Sequence, residues 1–437
     1  MSNNLMQDLK KEEKSNNKNM IQESQKSKLV LTDSINNISS KNLNMSPQLL
    51  FEDSEFKPNF ESISIAGINK ISEDIVNDWK SEIKWKRPSE FILNASQISL
   101  FGDNPSFNDI EQGQIEDCYF LSACSSISEF PILIRNIFEE KEISSNGKYS
   151  INIFCRGKTK KIIVDDLFPC IKNIPITCQP KNNKLWVMLL EKAFAKHNIC
   201  YENISYGLFK EAIEFLTGAP SIVYSIEELK EKFQGNYKFF EDSKYAIGCE
   251  IQSKSKESEI ILKESGLMRN HVYTVVQVVG NKIKLRNPFR KSKFNIDLSK
   301  NEKKYQGKSN LSNFETLDDG SFIMTLDLFL KYFEYITIGY INLEYRSLSL
   351  VSKLTEKYFY SCTFEIKEKQ TKGFLSLMQP PLRKYKVRNP DYKTGIINLI
   401  LVHLGKDTKY IDGKCFAEET VTIELPENLE IGEYLLI

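Results

Sequence analysis

The run Gln112-Gly113-Gln114-Ile115-Glu116-Asp117-Cys118-Tyr119-Phe120-Leu121 decides how this chain is read. Its polar half ends at Asp117, a residue type favoured at a helix N-cap. The following Phe120-Leu121-Ser122-Ala123-Cys124-Ser125-Ser126-Ile127 is apolar or small throughout and predicts a buried helix. Cys118 then falls at the first helical position, where unpaired N–H groups and the positive end of the helix dipole favour a thiolate. Such positions can lower a cysteine pKa from ~8.5 to roughly 3.5–7.5. Gln112 lies six residues upstream. Its side-chain N–H₂, with the Cys118 backbone N–H, could hold the oxyanion of an acyl transfer.

A cysteine nucleophile needs a proton carrier, and the chain has three histidines, His197, His271 and His403. His271 opens His271-Val272-Tyr273-Thr274-Val275-Val276, a β-branched run that predicts a strand. Sixteen residues later comes Asn287, in Val279-Gly280-Asn281-Lys282-Ile283-Lys284-Leu285-Arg286-Asn287-Pro288-Phe289, a second strand after a short turn. A hairpin would bring Asn287 beside His271, where its oxygen could fix the imidazole tautomer. The order Cys, His, Asn is the papain-type arrangement. His197 ends an amphipathic helical stretch and is expected at its exposed end. His403 lies in a strand and is read as structural. Cys124, inside the apolar helix, is read as a small buried residue.

Around these residues the chain resembles the calpains, papain-like cysteine proteases normally controlled by calcium. The matching blocks occur in the family's order: Phe51–Phe56, Trp85–Glu90, Gln112–Cys118, Val164–Pro169, Leu185–Lys196, Phe215–Gly218, the His271 and Asn287 segments, and Asp318–Met324. The resemblance is continuous from about Phe51 to Leu343 and implies an α+β fold. Its parts would be a two-lobe papain-like calpain protease core at 46–222 and 223–345, then a short β-sandwich at 346–437. The first lobe would carry Cys118 and Gln112, the second His271 and Asn287. The implied activity is that of a calcium-dependent endopeptidase making limited cuts in protein substrates through a thioester.

The resemblance also implies calcium as cofactor, bound by oxygen ligands in each lobe. In the first lobe the ligands carried over are Asp109 and Glu191, with backbone carbonyls near Gly102 to Asn104. In the second, Asp319 matches the family's aspartate. Ser321, however, stands where a glutamate is usual, and Lys293 falls among expected acidic ligands, so this site is expected to be weak or lost. Other departures are Glu116, Asn270 and Arg290 where glycine is usual, and Tyr119 and Phe289 in place of tryptophan. A carboxylate at Glu116 would disfavour the thiolate. Asparagine tolerates the positive φ that a glycine before His271 suggests.

Composition places the chain among ordinary soluble globular proteins, with 437 residues, 41% hydrophobic and 27% charged. A net charge of +1 gives no field to attract nucleic acid. Nine cysteines without paired spacing fit free thiols in a reducing cytoplasm. No apolar run approaches the ~18 residues of a membrane span, and no signal peptide is evident. Half of the first 40 residues are Ser, Asn or Lys, none is aromatic, and a disordered tail is expected over 1–45. Beyond 346, strands are expected at 359–366, 395–402, 419–425 and 431–437. This sandwich is shorter than usual and could stop before its last strand. Peripheral membrane contact through it is one expectation. No EF-hand loop is found, so an EF-hand-mediated small-subunit partner is not expected. Two function classes stay open: a calcium-dependent endopeptidase, or a non-hydrolytic calpain-like module that binds protein or lipid.

Overall fold

The structure, a computed structural model, describes residues 49–437 except 67, 69, 236, 238–239, 241–244, 253–266, 290–314, 317–318, 343, 352–359, 369–371 and 428. The tail expected over 1–45 lies outside the described residues, as do Lys293 and Arg290.

Three hydrophobic cores organise the chain. The first gathers around helices α1 (Cys118–Ile127), α2 (Trp186–His197) and α3 (Phe209–Thr217). Helix α1 carries no charged residue and buries every position after Cys118. Its Phe120 stacks on Phe194 of α2 at 4.5 Å, and Phe194 meets Phe215 of α3 at 4.7 Å. A hairpin, β1 (Lys148–Cys155) and β2 (Lys158–Asp165), packs beside them.

Charged residues are buried in this core as well, in pairs. Asp53 accepts from Lys196, and Asp165 pairs with Lys192. Arg87 pairs with Asp166 and donates to the Phe51 carbonyl at 2.8 Å. The blocks around Asp53, Arg87, Asp165 and Lys192 are thus parts of one buried ionic network. Each supplies a charge that another neutralises, which makes burial affordable.

The second core lies on a seven-stranded antiparallel sheet. Its strands are β3 (Ser221–Ser225), β4 (Tyr245–Ile251), β5 (His271–Val279), β6 (Lys282–Arg286), β7 (Glu315–Thr316), β8 (Ser321–Thr325) and β9 (Tyr335–Tyr340), in the order β7-β8-β6-β5-β4-β9-β3. Tyr273, Phe322 and Phe333 pack edge to face at its centre.

The third core is strand-rich. A four-stranded sheet has the order β10-β15-β12-β13, with β10 at Cys362–Ile366, β12 at Ile397–Leu404, β13 at Thr408–Phe416 and β15 at Gly432–Leu436. The pair β11 (Phe374–Met378) and β14 (Thr420–Glu424) faces it across Leu399, Leu401, Ile423 and Tyr434. The four strands expected here all form. Strands β11 and β13 and helix α4 (Leu382–Arg388) add to them.

Candidate active site

Cys118 is the first residue of α1, as the sequence predicts. Asp117 occupies the N-cap position but caps nothing, because its side chain is fully buried and turned to Glu191. The loop before it is pinned in place. Gln114 and Ile115 donate to the Ile176 carbonyl at 2.6 and 3.3 Å. Gly113 leaves no room for a Cβ, which would meet the Thr177 carbonyl oxygen at 2.0 Å. Gln112 Nε2 donates one proton to the Ile115 carbonyl at 2.8 Å. An amide nitrogen carries two protons, so one is left after this bond.

The hairpin sets Asn287 beside His271. Continuing the Thr274–Arg286 register by one pair sets Asn287 opposite Tyr273, on the face His271 also occupies. The His271 Nε2 to Asn287 Oδ1 distance is 2.7 Å, and both side chains are buried. Oδ1 also accepts from the Phe289 N–H at 2.9 Å, which fixes it as the acceptor. The proton therefore sits on Nε2, leaving Nδ1 bare to receive one. Asn270 takes the left-handed conformation, φ +52°, and its N–H donates to the Ile251 carbonyl at 2.7 Å.

Helix and hairpin meet directly. Ser122, one turn along α1 from Cys118, donates to the Val272 carbonyl at 2.9 Å, and Thr274 donates back to the Ser122 carbonyl at 2.9 Å. Arg286 donates to the Ile110 carbonyl at 2.7 Å, and the Gln112 N–H donates to the Pro288 carbonyl at 3.1 Å. Reciprocal bonds thus dock α1, which begins at Cys118, and its leading loop, which carries Gln112, against the β5–β6 hairpin that holds the His271–Asn287 pair.

The electrostatics differ from the expected thiolate. Burial pushes the Cys118 thiol up to about 12; Asp117, Glu250 and Glu116 act in the same direction, while the Val272 N–H opposes them. Burial also pushes His271 down to about 4 against the Asn287 bond. At neutral pH burial therefore favours a neutral thiol and a neutral imidazole. The helix dipole is outweighed by desolvation and nearby carboxyls. Of these, Glu116 is exposed, as its loop position suggests.

The acids expected to bind calcium have other partners. Both oxygens of Asp109, which is buried, are engaged. Oδ1 accepts from Asn182 and faces the Lys184 ammonium, each at 3.0 Å. Oδ2 accepts from Trp186 Nε1 at 2.9 Å, the Ser106 N–H at 2.9 Å and Lys184 at 3.2 Å. Glu191 accepts from the Cys178 N–H at 2.8 Å and turns to Asp117. Its burial raises its pKa well above the ordinary value, and Asp117 adds to the effect. It thus faces the Cys178 N–H and Asp117. Asp319 accepts from the Ser321 N–H and hydroxyl at 2.9 and 2.5 Å. Burial raises its carboxyl, but Ser321, Lys284 and Arg286 outweigh that and hold it below the ordinary value. Among the described residues no three histidine, cysteine or acidic side chains converge as a metal site. At the first expected calcium site the residues present do not fit the ion, because Lys184 already faces Asp109; the segment around Lys293 that would complete the second lies outside the described residues.

His197 corrects another expectation. It ends α2 but is buried, its ring 5.4 Å from Phe215, because α3 covers that end of the helix. His403 packs on Tyr434 within the third core, 4.8 Å between rings. Cys124 is fully buried.

Residues 51–340 match the calpain family cysteine protease profile. The chain belongs to the calpain family. It is 28% identical over 305 residues to Calpain-5 of Caenorhabditis elegans, covering 59% of this chain and 46% of that protein. Calpain-1 catalytic subunit of Macaca fascicularis is 27% identical over 307 residues, 66% of this chain and 42% of that protein. Calpain-type cysteine protease ADL1 of Oryza sativa subsp. japonica is 28% identical over 256 residues, 55% of this chain and 11% of that protein. The chain spans less than half the length of these calpain relatives. Among the described residues no helix is long and apolar enough to cross a membrane.

Three residues of this calpain-family site escape sequence reasoning. Glu250, on β4 beside Val272, brings a buried acid toward Cys118. Arg383 of α4 holds Glu211 through Nε and Nη2 at 2.8 Å each and donates to the Tyr206 carbonyl at 2.8 Å. The Tyr206 N–H in turn donates to the Glu116 carbonyl at 2.9 Å, so the strand-rich region reaches the nucleophile loop. Lys184 is the third. Each lies far in sequence from what it touches, and no local pattern marks it.

Proposed function

We propose that the chain is a cysteine endopeptidase in which Cys118 is the nucleophile, His271 the general base and acid, Asn287 its orienting group and Gln112 an oxyanion donor. The observation that carries this reading is the buried 2.7 Å bond from His271 to Asn287 on a hairpin docked against the helix that Cys118 begins. The first and second cores are read as the two lobes of a papain-like protease and the third as its β-sandwich.

The mechanism starts from a neutral pair. As the sulfur attacks a peptide carbonyl, its proton passes to the bare Nδ1 of His271. Charge develops on the carbonyl oxygen, where the free proton of Gln112 Nε2 and the Cys118 N–H stabilise it. The imidazolium, held by Asn287, then protonates the leaving amine. Water hydrolyses the thioester with His271 as base. Calcium has no step in this scheme, because the acids carried over for it do not fit the ion. Protein substrates in extended conformation and a cytoplasmic setting belong to the same proposal.

The test is hydrolysis of an unfolded protein substrate by the full chain, in chelator and in calcium, beside Cys118→Ala. Cleavage by the natural sequence and none by Cys118→Ala is expected. A folded chain that cleaves under neither condition would overturn the peptidase reading in favour of a protein-binding or lipid-binding module.

A further inference from the structure

The segment from Gly102 to Asp109 forms a cradle of oxygens. Gly102 has φ +61°, a conformation that favours glycine, and a Cβ there would lie 2.7 Å from Lys184 Cε. The carbonyls of Gly102, Asp103 and Asn104 and the buried carboxylate of Asp109 offer the hard oxygen ligands a divalent cation takes. Protein cations already hold all four. Lys184 Nζ lies 2.9 Å from the Asn104 carbonyl and 3.0 Å from Asp109 Oδ1. Arg135 Nη2 reaches the Asp103 and Gly102 carbonyls at 2.5 and 3.3 Å, with its guanidinium over Phe101. The Lys184 side chain is only 15% exposed, and that of Asp109 not at all.

We propose that Lys184 is a built-in counter-ion that takes the place of a divalent cation at this cradle and keeps the cleft assembled without free calcium. A divalent ion at Asp109 would face the ammonium across one carboxylate and would first have to expel it. The consequence reaches the cleft along one short segment of chain. Asp109 leads to Ile110, whose carbonyl accepts from Arg286, and to Gln112, whose N–H donates to the Pro288 carbonyl. The Phe107 ring lies 5.4 Å from the Arg286 guanidinium. The cradle therefore fixes the segment that joins the oxyanion donor to the His271–Asn287 hairpin. Because the cation is covalently attached, this join does not vary with calcium concentration.

The inference deepens the peptidase reading, since it concerns how that cleft is held, but its test reads binding and not turnover. The full chain is titrated with calcium chloride by calorimetry, and its thermal unfolding is compared in calcium and in chelator. Lys184→Glu, Lys184→Met and Asp109→Asn are measured beside it. The natural sequence is expected to show no calcium-dependent rise in Tm that Asp109→Asn removes. Lys184→Glu is expected to gain one, because it adds a carboxylate ligand beside Asp109. Lys184→Met is expected to lower Tm by several degrees in chelator. Calcium binding by the natural sequence that Asp109→Asn abolishes would overturn the proposal, and so would an unchanged Tm in Lys184→Met. Binding that survives Asp109→Asn would lie elsewhere and support it. A chain that cleaves no substrate would defeat the peptidase reading and leave these results standing.

Discussion

Glu191 and Lys192 are neighbours on helix α2, and both side chains are fully buried, yet they are neutralised in different ways. Lys192 pairs with Asp165 and donates to the Leu167 carbonyl. Its ammonium also lies 5.3 to 5.9 Å from the rings of Trp85, Phe168 and Phe56. Glu191 faces another acid, Asp117, directly behind Cys118. Burial raises the pKa of both acids, and each carboxyl acts on the other. A buried charge can be matched by a counter-ion or removed by a proton. One helix uses the first device where it holds the fold and the second where it backs Cys118.

The sharpest way to break this comparison is Lys192→Met. It leaves Asp165 buried without its cation, and the full chain should lose about 3–5 kcal/mol in urea unfolding. A loss no larger than that of Glu191→Gln would show that the two sites do not differ. Glu191→Gln is expected to cost little at neutral pH, since an amide replaces a group that already keeps a proton. Its signature is in pH dependence. A folded-state pKa above the unfolded value means that the native state binds more protons, so stability falls as pH rises. The contribution of the Asp117–Glu191 pair is full below the ordinary carboxylate range, about pH 4, and is lost as pH climbs through the raised values. Glu191→Gln should therefore flatten the decline of stability above about pH 4, and an unaltered slope would sink the shared-proton account.

The smallest effect concerns Glu116. Its charge is exposed and screened by solvent, so Glu116→Gln should raise the rate of Cys118 alkylation at pH 8 by at most about five-fold. A larger gain would mean that this carboxylate, and not burial, keeps the thiol protonated.

Much of the site was legible locally. The Asp117-Cys118 boundary, the Gly280-Asn281 turn and the β-branched run after His271 each specify backbone shape within a few residues. They place a cysteine at a helix start and an asparagine across from a histidine. The positive φ of Asn270 follows from its residue type in the same way. The state of the thiol did not follow. The helix-start argument predicts a lowered pKa, whereas burial and the acids Asp117, Glu250 and Glu116 raise it. Glu250 arrives from β4, far along the chain, and nothing near Cys118 announces it. The surroundings of the acids expected to bind calcium did not follow either. Asp109 and Glu191 are both acids in matching blocks, but a ligand set depends on what faces them.

By itself the sequence determined the helix that begins at Cys118, the hairpin that sets Asn287 beside His271, the strand pattern on either side and the family, because these rest on residue type and short spacing. The tertiary structure decided which charge meets which. Lys184 meets Asp109 across 75 positions, Arg286 meets Ile110 across 176, and Asp117 meets Glu191 where a cation could have stood. Coulomb energy and desolvation depend on distance and burial in space, and neither is encoded by any one stretch of chain.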